Sequence, residues 1–171
     1  MKNTNLQTII PVLTWNGLPW QGQCTVQHSA PPAANAGGSR LNIKNAIVYA
    51  MRVGRDRTLS AFYLSFCRGK NSVRRTAAMD YKHGPVIHAV AFEGKKGLQT
   101  IYVDASDNIS VDAVKIIVYG AGLKQQETGL AEYSAEIGGW EYQLTTNGAA
   151  QVKVIATDIP GNKATAIIQF D

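Results

Sequence analysis

The chain has 171 residues, 45% of them hydrophobic and 17% charged, with a formal net charge of +5. That length and apolar fraction suit one domain with a sizeable appendage and exclude a wholly disordered chain. Two cysteines, Cys24 and Cys67, exclude a disulfide-rich scaffold and a four-cysteine zinc site, and no apolar run approaches the ~20 residues of a membrane span.

The charge is unevenly divided. Residues 1 to 85 hold eleven Lys/Arg against Asp56 and Asp80, a balance of +9; residues 86 to 171 hold six Lys against ten acids, a balance of −4. Such a bipolar chain suits an anionic partner for its first half, be it nucleic acid, a membrane surface or the acidic half of a second copy; the alternative is that short helices simply carry arginine on their solvated faces.

Residues 1 to 38 read as an apolar arm and linker. The patch from Leu6 to Leu13 is broken by Gln7, Thr8 and Pro11 and lies well before the small residues Ala34-Asn35-Ala36, which argues against an export signal. Asn16-Gly17 can supply the positive φ angles of a hairpin turn, and Pro19 confines any return strand to an edge. The stretch from Pro31 to Gly38 has linker composition. An arm carrying Trp15 and Trp20 is more apolar than a disordered tail, so these two residues are the candidate docking contacts.

Residues 39 to 84 predict a basic three-helix segment punctuated by Gly54, Gly69 and Gly84. The first helix, about Arg40 to Val53, has Ile43, Ile47 and Ala50 on one face, which marks that face for burial. The second, about Asp56 to Arg68, has Leu59, Phe62, Tyr63 and Phe66 at helical spacing, and Ser72 can cap a third bearing Val73, Ala77 and Tyr81. Thin helices of this length need support from the second half or a partner. Arg52, Arg55, Arg57, Arg68, Arg74 and Arg75 are the candidate contacts for an anionic partner, and a basic third helix is compatible with a helix-turn-helix reader.

From residue 85 the periodicity becomes two and the segments short and evenly spaced, the pattern of a β-sandwich. Strands are predicted near 86–92, 98–103, 113–119, 124–129, 130–134, 140–145, 150–156 and 165–170. Alternation is clearest around Trp140, Tyr142 and Leu144, which makes Trp140 a core candidate. The run Ala156-Thr157-Asp158-Ile159-Pro160-Gly161-Asn162 resembles the A-x-D-x-x-G-N signature near the end of many bacterial immunoglobulin-like domains. The order Asp104 to Asn108, Val114 to Val118, Glu127 to Ala131 and Gly139 to Tyr142 is also similar. The resemblance spans Val86 to Asp171 and implies an antiparallel immunoglobulin-like sandwich. Domains of that kind serve as spacers, adhesin stalks, virion decorations and binding modules, so it implies no activity. They are mostly exported and often tandem, unlike this chain. The expectation is a place in the cytoplasm, in a virion, or in an assembly released by lysis.

The chemistry-bearing residues form no catalytic fingerprint. There is no Gly-x-Ser-x-Gly frame and no phosphate-cradling Gly-x-x-x-x-Gly-Lys. Asp104, Asp107, Asp112 and Asp158 sit at predicted strand ends, where a calcium ion could be held, but their spacing is not that of an EF-hand loop and turn chemistry accounts for them. Cys24, His28, Cys67, His83 and His88 lack the paired spacing of a zinc site. No cofactor, metal or catalytic residue is therefore assigned. The sequence predicts an α+β protein, a small N-terminal helical unit followed by the sandwich. Its expected role is as a non-enzymatic structural or protein-interaction component, acting by self-association or with another protein; nucleic-acid binding through the basic helices is the alternative.

Overall fold

A computed structural model of the chain describes residues 7–8, 12–14, 24–27, 38–95 and 98–170. Three short strands come first: β1 (Gln7–Thr8), β2 (Val12–Thr14) and β3 (Cys24–Gln27). The helical unit follows as α1 (Gly38–Val53), α2 (Arg57–Ser65) and α3 (Val73–Lys82). Eight strands complete the fold: β4 (Val86–Lys95), β5 (Leu98–Ser106), β6 (Val111–Tyr119), β7 (Gln125–Leu130), β8 (Glu132–Ser134), β9 (Gly139–Leu144), β10 (Gln151–Asp158) and β11 (Lys163–Gln169). The protein is α+β, with the helical unit preceding the eight main strands of a two-sheet sandwich.

Local chemistry sets the helix ends. The Asp56 carboxylate accepts from the Leu59 backbone N–H at 3.0 Å and starts α2; Ser72 Oγ does the same for Arg75 N at 3.3 Å and starts α3. The third helix stops at Lys82, ahead of Gly84-Pro85, since proline disfavours helical backbone in the residue before it.

The eight sandwich strands make two antiparallel sheets. Sheet 1 has the order β11-β10-β6-β7 and sheet 2 the order β4-β5-β9-β8. The early strands extend them: β3 pairs with β11 and carries β1 beyond it, while β2 runs parallel to β4. Between the sheets lies one apolar core, with Val114, Ile116, Val118, Val152, Val154, Ala166 and Ile168 from sheet 1 facing Ile87, Val90, Phe92, Ile101, Val103 and Leu144 from sheet 2. The strict alternation in β10 and β11 follows the two-residue pleat. In β4 an irregularity between Ile87 and Ala89 lets Ile87 and Val90 both point inward although they are three apart. The chain changes sheets at buried Ala131, so the predicted segment 130–134 splits between the end of β7 and the short edge strand β8.

Three expectations about burial need correction. The buried side of α1 is Ala46, Ala50 and Val53, whereas Ile43 and Ile47 face solvent. Phe66 is exposed at the end of α2, although Tyr63 is fully buried and Leu59 and Phe62 pack beside it. Trp140 packs against the core but is only half-buried, because its neighbour β8 is three residues long and covers it with one edge-on ring, Tyr133, at a centroid distance of 5.5 Å.

The helical unit has a small core of its own, Val53, Tyr63 and Ala77, closed by Tyr49, Leu59, Phe62 and Val73 and, from the sandwich, by Ile109 and Ile159. Its support therefore comes from the second half of the chain.

Candidate functional site

The loop between β10 and β11 joins the two units. Asp158 is buried at the end of β10, and its Oδ1 accepts from the backbone N–H groups of Gly161 (2.8 Å) and Asn162 (2.6 Å). Gly161 has φ +94°, a backbone angle that a side chain would strain, which explains glycine at that point of the tight turn. The buried Asn162 amide donates to Asp158 Oδ2 at 2.7 Å and lies 3.3 Å from the carbonyls of both Tyr81 and His83 at the end of α3. The D-x-x-G-N run thus closes a hairpin and also satisfies the orphan carbonyls of a helix terminus.

Next to it a polar chain crosses the joint. Asp80 of α3 is fully buried and accepts from the Tyr63 hydroxyl at 2.5 Å. That bond commits the single Tyr63 hydroxyl hydrogen, so in the 2.8 Å contact between Tyr49 and Tyr63 the donor is Tyr49. On the other side, the Asn108 amide, oriented with its nitrogen toward the carboxylates, donates to Asp80 Oδ1 at 3.0 Å and to Asp107 at 3.0 and 3.2 Å. No buried side-chain nitrogen or oxygen among the described residues lacks a partner.

Burial raises the carboxyl of Asp80 to about 7, reinforced by the charges of Asp107 and Asp158 and opposed by the Tyr63 hydrogen bond. Burial likewise raises Asp158 to about 6, against the bonds from Asn162. The Tyr63 hydroxyl is pushed far above its ordinary value by burial and by donating to Asp80. These groups hold the two units together across a seam whose central members, Tyr63, Asp80, Asp158 and Asn162, are buried.

A second carboxylate, Glu127 of β7, is also built in. It accepts from Tyr142 Oη (2.7 Å), Thr146 N (2.9 Å), Thr146 Oγ1 (2.8 Å) and Thr145 N (3.1 Å). Partial burial pushes its carboxyl up, but these donors outweigh that and hold it below the usual range. Tyr142 reaches it across Gly129, where a Cβ would lie 2.6 Å from the ring, and its hydroxyl is raised to about 12 by burial and by donating to the carboxylate.

The candidate metal ligands do not converge. Of the four aspartates, only Asp107 and Asp158 join the seam; Asp104 and Asp112 are exposed elsewhere. Cys67 Sγ donates to the Tyr63 carbonyl at 3.4 Å, His83 Nδ1 to the Met79 carbonyl at 2.7 Å, and His88 Nε2 pairs with Ser106 Oγ at 2.6 Å. The Cys24 side chain and His28 lie outside the described residues, among which no group of three or more His, Cys, Asp or Glu is arranged to hold a metal ion.

All six candidate arginines are exposed. Arg52 and Arg55 border a hollow at the end of α1, and Arg74 lies across the α1–α2 turn, its Nε 2.6 Å from where a Cβ on Gly54 would sit. Arg68 and Arg75 flank a separate cleft with Phe66 and Met79, and Arg57 opens α2. Trp15 and Trp20 lie outside the described residues.

The seam residue Asp80 and its partner Tyr63 carried no functional assignment from sequence. A signal was present: Asp80 follows Thr76 and Ala77 at helical spacing, an acid on the buried stripe of a basic helix. The asparagines of Asp107-Asn108 and Gly161-Asn162 read only as turn formers because their partners are far away in the chain. Searches against family models, curated proteins and solved structures found nothing that matches this chain. No helix among the described residues is long and apolar enough to cross a membrane.

Proposed function

We propose that the protein is a non-enzymatic structural or protein-interaction component that works in a homo-oligomer or larger assembly. The observation that carries this reading is the outer face of α1. Ile43 (46% exposed), Ile47 (53%), Val48 (58%) and Met51 (45%) form a continuous apolar ridge at i, i+4, i+5 and i+8, on a helix whose other side is already packed. Exposed Arg52 and Arg55 border it. Among the described residues the sandwich also presents two edge strands, β7 and β8, each paired on one side alone.

The immunoglobulin-like assignment of residues 86–171 belongs to the same proposal. It is supported by the order β4-β5-β9-β8 facing β11-β10-β6-β7, which has the A-B-E-D and G-F-C pattern of such sandwiches. A non-enzymatic role is supported by the occupation of the most perturbed carboxylates, Asp80 and Asp158, in holding the two units together.

A second reading, nucleic-acid binding, is favoured by one observation: none of the six arginines makes an ion pair with a described residue, and Arg74 and Arg75 stand on the first turn of α3. Sedimentation velocity of the full chain across a concentration series tests the first reading, with concentration-dependent growth in mass as the expected result. Fluorescence anisotropy with duplex DNA at ~50 mM salt tests the second, since even non-specific binders are retained there. A monomer at all concentrations overturns the assembly reading, and DNA retention lost in Arg74→Ala/Arg75→Ala would put the second in its place.

A further inference from the structure

Resting on the assembly reading, we propose which surfaces meet: the α1 ridge of one copy docks on the outer face of sheet 2 of the next. That face is the chemical complement of the ridge. Its floor is small and apolar, with Ala89 and Ala91 of β4 lining a cleft of about 450 Å³ closed on one side by Ile137. Its rim is acidic: Glu93 and Asp104 line the same cleft, and Glu141 stands opposite Tyr102 in the next strand. The ridge is a projecting apolar line with Arg52 and Arg55 beside it, so shape and charge are opposed on the two surfaces.

An independent feature of the face points to a cationic visitor. In the β8–β9 ladder, Glu132 is paired directly with Glu141, and like charges in that position oppose each other. Neither forms an ion pair with a described residue. A guanidinium from outside relieves this repulsion and gains a bidentate site.

Among the described residues nothing covers either surface, and neither serves the other within one copy. Each copy then offers one ridge and one face, and the contact is heterologous. Repeated, it closes into a ring or continues as a filament, depending on the rotation between copies. The occupant is a second copy because the chain supplies both complementary surfaces and divides its charge between the same two halves.

The test uses the full chain and two charge reversals at exposed or edge positions, Arg52→Glu/Arg55→Glu and Glu132→Lys/Glu141→Lys. Circular dichroism and unfolding midpoints establish that each is folded, and Ile47→Asp, which puts a charge on the apolar ridge and keeps its arginines, serves as the alternative if the first is not. Sedimentation velocity is expected to show association weakened at least about tenfold in each variant alone, and weakened by salt in the wild type. Mixing the two reversed variants is expected to restore it, because every contact in an alternating assembly then joins opposite charges. Lys124→Glu, on an exposed loop away from both surfaces, is expected to leave association unchanged. Assembly that persists undiminished in both reversals, or that mixing fails to restore, overturns this docking and leaves the assembly reading intact. A wild-type chain that stays monomeric overturns both, and DNA retention abolished by Arg52→Glu/Arg55→Glu in that monomer assigns the basic rim to nucleic acid.

Discussion

The sandwich and the helical unit solve the same problem by different means. The sandwich closes a wide apolar layer between two sheets, and its strands supply both sides of it. The helical unit centres on a small cluster of Val53, Tyr63 and Ala77 beside the buried alanines of α1, borrows Ile109 and Ile159 from the sandwich, and completes the seam with polar groups. Burial of the sandwich kind is non-directional and scales with area, whereas a polar seam depends on each donor finding its acceptor. The helices are thus held in one orientation by a few specific bonds, and that orientation leaves the α1 ridge outward.

This contrast can be broken first at its stronger side. Ile116→Ala empties space in the middle of the sandwich core and is expected to cost about 2–5 kcal/mol. Urea unfolding followed by helical ellipticity and by tryptophan fluorescence should shift together, since helices that lean on the sandwich fall with it.

Acidity acts on the other side. Asp80 and Asp158 hold their protons more tightly folded than unfolded, with values raised from 3.8 to about 7 and about 6. Folding therefore retains protons that the unfolded chain has lost, and stability contributed by the neutral carboxyls is full below about pH 4 and disappears as pH rises toward 7. Each retained proton is worth about 1.4 kcal/mol per pH unit, so a decline of about 2–4 kcal/mol between pH 5 and pH 8 is expected. Denaturant midpoints across that range measure it, and Asp80→Asn should flatten the profile. A profile equally steep in Asp80→Asn would mean that the seam is not its source.

A smaller and more selective effect is expected from Asn162→Ala. It removes the amide that reaches the Tyr81 and His83 carbonyls and one partner of Asp158, and should cost about 1–2 kcal/mol. Because the apolar core is untouched, hydrogen exchange should quicken in α3 well before it does in β6 or β10. Uniform acceleration in both regions would make the joint and the sandwich a single cooperative unit.

Features governed by neighbours in the chain were legible from sequence. Ser72 caps α3, the strands alternate with period two, and the turn of Asp158 to Asn162 lies where its composition puts it. The arginines were also visible as exposed, since a guanidinium without a partner stays in water. Less legible was the seam, whose members Tyr63, Asp80, Asn108 and Asn162 come from four separated segments. A buried aspartate looks the same in sequence as a solvated one until the groups that satisfy it are brought near.

The first helix marks the boundary between the two kinds of information. Its periodicity offers two apolar lines, Ala46, Ala50 and Val53 or Ile43, Ile47 and Met51, and transfer free energy alone favours burying the larger side chains. The alanine line is buried because α1 packs on α3, itself bearing Ala77 at the contact, and small side chains let two backbones approach while Tyr49 and Tyr63 fill the remaining space. Sequence by itself determined where the three helices and most sandwich strands lie, because caps, turns and alternation act over a few residues, but not β3 (Cys24–Gln27), whose place is set by pairing with distant β11. Only the tertiary structure decided which face each one hides, since burial is a choice made jointly by surfaces distant in the chain, and here close packing at the joint outweighed the hydrophobicity of the ridge left outside.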